Sequence, residues 1–333
     1  MNYTPELLLR FGTLLDEASH VVVMQAEHID ADSLGSSLGL EAALTKLGKQ
    51  VTLYCHDEVP SYLKHFPGQD RVTQNLPGKY DLAILVDSST HSQIERTWSE
   101  HKAALSRRPF VCIDHHVSTN NQINGANVLL LLDDTAGASG QQVVELAQHY
   151  GWELDAEAAY VLAAAIKSDT VNLSTRYTSA ATFRAMAYLV EQGVDLEELR
   201  LNVEKVSSIP ATQLHLRAEV LARTSFFKDN QIAVTYFTAE EYKLLSEDKL
   251  LIERTKHELR TLQEVEIAVV ITERKGYSNA SMRANVGVAR LTAEHFGGGG
   301  HDKAASCRFE NATHTEVTEA IVPVIERLLD EAL

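Results

Sequence analysis

The stretch that decides the fold is Phe110-Val111-Cys112-Ile113-Asp114-His115-His116, an apolar run that ends in three ionisable residues. Four consecutive apolar residues predict a buried strand. Ionisable groups directly after a buried strand are costly unless they act together, and carboxylate beside imidazole is a combination that divalent transition metals bind. The stretch therefore predicts a strand of a buried sheet and, at its end, one part of a composite metal site.

Similar apolar runs occur throughout the first half of the chain and predict further strands. Strands are predicted at residues 20–26, 51–55, 81–87, 110–113 and 127–132, and a helix at residues 34–47. Continuous apolar strands separated by helices are typical of a parallel sheet that is covered on both faces. Helical periodicity dominates residues 141–201, with a break at residues 193–195.

The second half predicts a smaller α/β unit. Strands are predicted at residues 231–237 and 265–272, and a helix at residues 315–333, whereas Ser207-Ser208-Ile209-Pro210 is the best linker candidate. A chain of 333 residues exceeds what one core usually accommodates. We therefore predict an α/β protein with an N-terminal domain over residues 1–200, a helical linker over 201–220 and a C-terminal domain over 221–333.

Composition and charge indicate where the protein is located and which kinds of partner it can bind. No apolar run reaches membrane-spanning length, and the first residues lack the pattern of a signal peptide. Three widely spaced cysteines fit buried free thiols in a reducing cytosol. We therefore predict a cytoplasmic protein without a membrane partner. A net charge of −16 disfavours binding to long nucleic acid but does not exclude a short nucleotide beside metal ions.

Four places along the chain could contribute to one metal site. His28, Asp30 and Asp32 follow the first strand and Asp87 ends another, while Asp169 ends a helix of small residues; the Asp-His-His run is the fourth place. Each has an ordinary alternative: Asp32 or Ser33 as a helix N-cap, Asp87 and Asp169 as turn or loop residues, and Asp-His-His as a solvated turn.

Taken together, these places supply five carboxylates and three imidazoles, nearly all at the ends of elements on one side of the predicted sheet. That number is enough for two ions that share a bridging carboxylate. Mixed oxygen and imidazole ligands favour Mn²⁺ over Zn²⁺ with thiolates or Ca²⁺ with oxygen ligands alone. Two ions held close together activate water for hydrolysis of a phosphate ester.

A glycine run in the second half is a candidate anion site. The backbone N–H groups of Gly297-Gly298-Gly299-Gly300 could converge on a phosphate, helped by the N-terminus of a following helix. A flexible linker is the alternative for such a run. Arg283 lies upstream, after a predicted strand, where a surface arginine is the alternative.

The ordered set of motifs resembles the DHH phosphoesterases, and within them the DHH-DHHA1 group, over nearly the whole chain. The motifs are His28-x-Asp30-x-Asp32, Asp87, Asp114-His115-His116, Asp134 to Ser139, Asp169-Thr170, and Gly297-Gly298-Gly299-Gly300-His301 with Ala304-Ala305 after it. Members of the group commonly place the first histidine four residues before Asp30, where this chain has Ala26. His28 lies two residues before Asp30, as the corresponding ligand does in the RecJ-type nucleases.

The resemblance implies a set of roles. One Mn²⁺ would be held by His28, Asp30 and Asp87, and a second by Asp32, Asp87, His115 and Asp169, with Asp87 bridging. Asp114 would orient His115, and His116 would reach a substrate phosphate. Arg283, Gly298, Gly299, Gly300 and His301 would bind substrate in the DHHA1 domain. The active site would lie in the cleft between the domains.

The leading hypothesis is a Mn²⁺-dependent phosphodiesterase that cleaves short oligonucleotides, chiefly linear dinucleotides such as pGpG or pApA, to mononucleotides. Hydrolysis of a cyclic dinucleotide or of adenosine 3′,5′-bisphosphate remains open within the enzyme class, and the acidic balance disfavours a processive exonuclease. A nucleotide-binding regulator without catalysis is the alternative from another class, and the presence of every acidic ligand argues against it. A homodimer also remains open.

Overall fold

Five parallel strands form the central sheet of the first half of the protein, in the order β2-β1-β3-β4-β5, in the computed structural model. The strands are β1 (His20–Met24), β2 (Gln50–Tyr54), β3 (Leu82–Val86), β4 (Phe110–Asp114) and β5 (Val128–Leu132). All five lie where the apolar runs predicted strands. The structure describes residues 2–116, 121–206, 211–245 and 250–332.

Successive residues of β1 contact different hydrophobic clusters, which explains why its sequence is continuously apolar. Val21 and Val23 belong to one cluster, whereas Val22 and Met24 belong to another. Because neighbouring side chains of a strand point to opposite faces, both faces of the sheet are covered. The predicted doubly covered parallel sheet is confirmed.

Seven helices accompany this sheet in the described residues: α1 (Pro5–Glu17), α2 (Ala31–Lys46), α3 (Glu95–Leu105), α4 (Ser139–Tyr150), α5 (Ala156–Asp169), α6 (Ala180–Glu191) and α7 (Leu196–Val206). Helix α2 begins three residues earlier than predicted. Its N-cap is Asp30, whose Oδ1 accepts a hydrogen bond from the backbone N–H of Ser33 at 2.9 Å. Neither Asp32 nor Ser33 is the N-cap, because both already lie in the first turn.

The strand order places a crevice at the carboxyl ends of the strands. β1 pairs with β2 along one edge and with β3 along the other. The connection after β1 therefore leads to one side of β1, and the connection after β2 leads back to the other side, which is a reversal of strand order. In open α/β sheets such a reversal point is where ligands bind. The residues that follow β1, β3 and β4 are therefore brought to one edge of the sheet.

The second unit contains a six-stranded mixed sheet in the order β10-β11-β9-β8-β7-β6. Its strands are β6 (Ser225–Phe227), β7 (Ile232–Phe237), β8 (Ile267–Arg274), β9 (Tyr277–Ala284), β10 (Gly299–His301) and β11 (Ala304–Glu310). β7 and β8 are parallel, and the other described pairings are antiparallel. The helices are α8 (Ala211–Ala222), α9 (Ala239–Leu244), α10 (Leu250–Arg260), α11 (Ala289–His295) and α12 (His314–Ala332).

The chain divides into two compact units, Met1–Val206 and Ser207–Leu333. The division falls inside the predicted linker 201–220, which is largely helical because α7 and α8 occupy both of its ends. The linker candidate at residues 207–210 lies outside the described residues. Across the described ranges, no helix is both long and apolar enough to cross a membrane.

Candidate metal centre

Ends of four elements deliver the ionisable side chains of the first unit to one place. Asp87 directly follows β3, and His115 directly follows β4. Asp32 lies in the first turn of α2, and Asp169 is the last residue of α5. Apart from Asp169, these residues are placed by the carboxyl ends of parallel strands, as the sequence predicted.

The imidazole of His115 is the centre of this cluster. Its Nε2 lies 3.2 Å from Oδ2 of Asp169, 3.5 Å from Oδ1 of Asp87 and 3.7 Å from Oδ2 of Asp32. The same nitrogen is buried and makes no regular hydrogen bond to any described residue. A buried nitrogen surrounded by three carboxylates without a regular hydrogen bond fits a position where ligands converge on a cation.

Two overlapping groups of ligand atoms are close enough to hold ions. One consists of Asp87, His115 and His116, and the other of Asp32, His115 and Asp169; within each group the ligand atoms lie within 4.8 Å of one another. The donors are carboxylate oxygens and imidazole nitrogens without thiolates, which fits Mn²⁺ better than a structural zinc site.

The electrostatics of the cluster also favour a cation. Burial raises the pKa of Asp32 to about 7, with the carboxylate of Asp169 adding to the effect. Burial and then Asp32 raise the pKa of Asp87 well above its usual range. Burial alone would lower the pKa of His115, but the nearby carboxylates of Asp169 and Asp87 outweigh burial and raise that pKa to about 11. The protein therefore stabilises positive charge at this position.

The N-terminus of α4 fixes two of the carboxylates, which the sequence did not predict. The backbone N–H groups of Ser139 and Gly140 donate to Asp32 at 2.7 and 2.9 Å, and the hydroxyl of Ser36 donates at 3.0 Å. The hydroxyl of Ser139 donates to Oδ1 of Asp87 at 3.1 Å. The motif from Asp134 to Ser139 marked this segment in the sequence as resembling the family, but the residue types in it do not predict which carboxylates its N–H and hydroxyl groups bind.

Asp114 holds His116 rather than His115. Its Oδ1 accepts from Nδ1 of His116 at 2.8 Å and from the backbone N–H of the same residue at 3.0 Å. Burial would raise the pKa of Asp114, but the hydrogen bonds from His116 outweigh burial and lower it. The expectation that Asp114 orients His115 is therefore wrong, and the oriented imidazole is the half-exposed one of His116.

Asp30 lies beside the cluster, whereas His28 lies away from it. Desolvation raises the pKa of the Asp30 carboxyl. The hydrogen bond from the backbone N–H of Ser33 lowers that pKa in part, and the negative charge of Asp169 raises it further. His28 is not brought to the cluster: its side chain is 98% exposed, with Nδ1 3.8 Å from Oδ2 of Asp57. A ligand role for His28 stays a prediction.

Strained backbone accompanies two of the clustered carboxylates. Asp87 has a left-handed φ of 59°, and the three residues Val171, Asn172 and Leu173, which follow Asp169 closely, have φ values of 47°, 55° and 63°. Non-glycine residues in this region cost free energy, and such strain concentrates at functional sites. No feature of the sequence predicted the left-handed turn.

In the second unit, three of the five predicted substrate-binding residues line one pocket. They are Arg283, Gly299 and Gly300. Gly298 instead packs on β11, since a Cβ there would overlap the carbonyl oxygen of Ser306. His301 is exposed at the end of β10, outside the pocket lining.

The predicted helix after the glycine run is not present. Gly299 and Gly300 belong to β10, which pairs with β11, and β11 is the element that follows. Of these two residues, Gly300 is needed for close strand packing, because a Cβ on it would lie 2.5 Å from the carbonyl oxygen of Ala304, whereas a Cβ on Gly299 would meet no atom within 4 Å. The alternative of a flexible linker is likewise wrong.

Comparison with known proteins agrees with the metal cluster. Residues 20–166, which include every clustered residue except Asp169, match the family described as DHH family, N-terminal domain. The matched residues include the Asp-His-His run of Asp114, His115 and His116.

Two relatives match the chain across both of its units. The chain is 27% identical over 317 residues to the bifunctional oligoribonuclease and PAP phosphatase NrnA of Thermus thermophilus, covering 92% of this chain and 90% of that protein. It is 23% identical to the cyclic-di-AMP phosphodiesterase GdpP of Bacillus subtilis, covering 95% of this chain but only 49% of that protein.

A solved structure shares the fold. The crystal structure of an exopolyphosphatase-related protein from Bacteroides fragilis has a TM-score of 0.83 and 21% identity, with 98% of this chain and 96% of that chain covered. At this identity the likeness concerns the fold alone. It agrees with the α/β architecture described above.

Proposed function

We propose that the protein is a Mn²⁺-dependent phosphodiesterase that hydrolyses short oligonucleotides, chiefly linear dinucleotides such as pGpG or pApA, to mononucleotides. The observation that carries this proposal is the convergence of three carboxylates on Nε2 of His115. A cluster of this composition holds divalent ions that act on phosphate esters.

The proposed ligand sets follow from the donor atoms. Asp32, Asp87, His115 and Asp169 would hold one Mn²⁺, and Asp87 would share a second with Asp30 and His28. When bound, the ions would lower the pKa of a water molecule and offset negative charge on the phosphoryl oxygens. Ser139 keeps Asp87 in position through its hydroxyl, and α4 keeps Asp32 in position through its first N–H groups.

His116 is the proposed contact to the scissile phosphate. Its hydrogen bond to Asp114 raises its pKa, so the imidazole keeps a proton to higher pH than a free histidine. With Nδ1 engaged by Asp114, Nε2 remains as a donor toward a phosphate oxygen. Half of the side chain is exposed, which leaves it accessible to substrate.

The names of the relatives support the substrate class. The Thermus protein is named for oligoribonuclease and PAP phosphatase activities and the Bacillus protein for cyclic-di-AMP hydrolysis. Adenosine 3′,5′-bisphosphate and the cyclic dinucleotides are therefore the competing substrates. The acidic net charge of −16 favours short substrates, because long nucleic acids bind largely through phosphate neutralisation by basic side chains.

A timed digestion panel with Mn²⁺ tests the proposal. It compares pGpG, pApA, both cyclic dinucleotides, adenosine 3′,5′-bisphosphate and RNAs of increasing length, each with and without EDTA. We expect pGpG and pApA to be cleaved fastest, to mononucleotides, with all activity lost in EDTA. Faster turnover of a cyclic dinucleotide or of the bisphosphate would replace the proposed substrate. No turnover of any substrate would favour a nucleotide-binding regulator.

A further inference from the structure

Gln142 is a buried side chain of α4 that has no role in the chemistry proposed above. Its amide Nε2 donates to the carbonyl oxygen of Asp114 at 3.0 Å and to the hydroxyl of Tyr3 at 2.7 Å. The reverse orientation of the amide would place Oε1 against the carbonyl oxygen of Asp114, and both of these atoms are acceptors. Both N–H groups of the amide are therefore engaged by these two partners.

The carbonyl group of Asp114 belongs to the peptide that leads into His115. Its oxygen accepts a second hydrogen bond, from the backbone N–H of Asp133 at 3.1 Å. Rotation of this peptide would displace the Cα atom of His115 and, with it, the imidazole that lies among the three carboxylates. The bond from Gln142 therefore restricts the position of a central residue of the metal cluster.

Helix α4 holds the carboxylates and the imidazole-bearing segment at the same time. Ser139 binds Asp32 through its backbone N–H and Asp87 through its hydroxyl. Gln142 lies three residues further along the helix, so its side chain is on the same face as that of Ser139. Because one helix bonds both to the carboxylates and to the end of β4, it sets the separation between them.

The amino-terminal segment supports Gln142 from the other side. The hydroxyl of Tyr3 accepts from the amide and donates to the carbonyl oxygen of Leu131 in β5 at 3.3 Å. The backbone N–H of Asn2 donates to Oδ2 of Asp133 at 2.7 Å. Burial and then the charge of Asp133 raise the pKa of Tyr3, so the hydroxyl keeps the proton that it donates to Leu131.

We propose that Gln142 is a positioning residue of the metal centre, which holds the peptide between Asp114 and His115 in register with the carboxylates that α4 binds, and that Tyr3 keeps Gln142 in this orientation. The proposal rests on the proposed function in that the cluster holds Mn²⁺. Loss of a group that orients a metal ligand commonly weakens metal binding by about 10- to 100-fold. Gln142 acts through the backbone, so we expect the lower end of this range.

Nuclear magnetic resonance of the full chain in EDTA measures the positioning without metal. Gln142→Met keeps the length of the side chain and removes both N–H donors, whereas Tyr3→Phe removes only one hydroxyl. The ring resonances of His115 and His116 are assigned from the spectra of His115→Asn and His116→Asn. We expect the ring resonances of both histidines to shift in Gln142→Met and in Tyr3→Phe.

Electron paramagnetic resonance of free Mn²⁺ measures the consequence for metal binding without turnover. The dissociation constant should increase by about tenfold in Gln142→Met and by a smaller factor in Tyr3→Phe. The double variant should equal Gln142→Met, because the hydroxyl of Tyr3 acts on the cluster only through the amide.

Tyr150→Phe is the matched control. The hydroxyl of Tyr150 also donates to a backbone carbonyl, that of Leu8 at 2.5 Å, and it likewise ties α1 to the rest of the first unit. Tyr150 lies eight residues after Gln142 in α4, which is about 12 Å along the helix. Thermal unfolding reports the stability of every variant, while the histidine resonances and the Mn²⁺ affinity of Tyr150→Phe should equal those of the wild type. If Gln142→Met is unfolded, Tyr3→Phe decides the matter.

Unchanged histidine resonances or an unchanged Mn²⁺ affinity in both variants would overturn the proposal. So would additive losses in the double variant, or equal effects in Tyr150→Phe, since either result would indicate a general effect on the fold. Shifted resonances in a protein that binds no Mn²⁺ would support the positioning and contradict the proposed function. Cleavage of pGpG by a wild-type protein whose histidine resonances are insensitive to both variants would contradict the positioning alone.

Discussion

Asp87 combines burial, an unusual backbone conformation and a raised side-chain pKa. It is buried, its backbone is left-handed with φ of 59°, and it lies next to His115 and the hydroxyl of Ser139. Burial and the neighbouring Asp32 raise its pKa. The fold therefore carries both backbone strain and carboxylate repulsion at this position, which a purely structural residue would not require.

Replacement of Asp87 by asparagine should separate activity from stability. Asparagine tolerates a left-handed backbone better than alanine and keeps the shape of the side chain, while it removes the charge. We expect Mn²⁺-dependent turnover to fall by more than about 100-fold, the largest effect usually seen when a partner behind a metal ligand is lost. Near wild-type turnover would contradict the bridging role.

The same variant should be more stable than the wild type when no metal is present. The raised pKa means that the folded state binds this proton more tightly than the unfolded state. The charged carboxylate therefore destabilises the folded state at pH 8, and the penalty disappears as pH falls toward the pKa of the unfolded chain, about 4. Thermal unfolding in EDTA should show a higher Tm for Asp87→Asn at pH 8 and a smaller difference at pH 5.

The sequence predicted the composition of the cluster but not how it is held. Asp32, Asp87, His115 and Asp169 were predicted because ionisable residues at the ends of apolar elements are conspicuous. The roles of Ser139 and Gly140 could not be predicted, since they act through backbone N–H groups that every residue has. The prediction that Asp114 orients His115 was wrong because His115 and His116 are adjacent in the sequence. Only the side-chain torsion angles decide which of the two imidazoles faces the Asp114 carboxylate.

At the scale of elements, small residues allow three helices to approach behind the cluster. A Cβ on Gly35 of α2 would overlap the carbonyl oxygen of Val161 and lie 2.9 Å from Cβ of Ala165, both in α5. A Cβ on Gly140 of α4 would lie 2.8 Å from the same Ala165. Close packing of α2, α4 and α5 keeps Asp32, Ser139 and Asp169 within reach of one another.

Gly35→Ala tests this packing. The added methyl group cannot be accommodated without moving α2 away from α5, and overpacking of this kind costs about 1–3 kcal/mol. Urea denaturation should report that loss, and Mn²⁺-dependent activity should fall as well because Asp32 moves with α2. Gly78→Ala is the control, since a Cβ there meets no atom within 4 Å and the φ is not left-handed. Equal stability of the two variants would show that the helices tolerate separation.

The elements of the first unit were predictable and several of the second were not. A strand buried on both faces has to be apolar throughout, so β1 to β5 are conspicuous in the sequence. Strand β9 reads Tyr-Ser-Asn-Ala-Ser-Met-Arg-Ala, with buried and partly exposed residues in strict alternation. Its buried positions are mostly small, so it contains no apolar run, and the glycine-containing β10 gives even less signal.

At the scale of the whole molecule, the net charge is strongly acidic while the pocket of the second unit has an excess of positive charge. Long nucleic acids need many phosphate contacts, and their binding weakens steeply when those are absent. A single anion pocket provides affinity only at one end of a substrate. The activity proposed here should therefore decrease as chain length increases beyond a few nucleotides.

Arg283→Gln gives this expectation a kinetic test. Loss of a hydrogen bond to a charged group costs about 1.5–3 kcal/mol, which corresponds to roughly a 10- to 150-fold decrease in kcat/KM for pGpG. A small phosphodiester without a terminal phosphate, bis(p-nitrophenyl) phosphate, depends only on the metal cluster and should be hydrolysed at the wild-type rate. The variant should also lose the preference for pGpG over longer RNAs, because terminal and internal phosphates then bind alike. Equal losses on both substrates would place Arg283 in the support of the fold rather than in the recognition of chain ends.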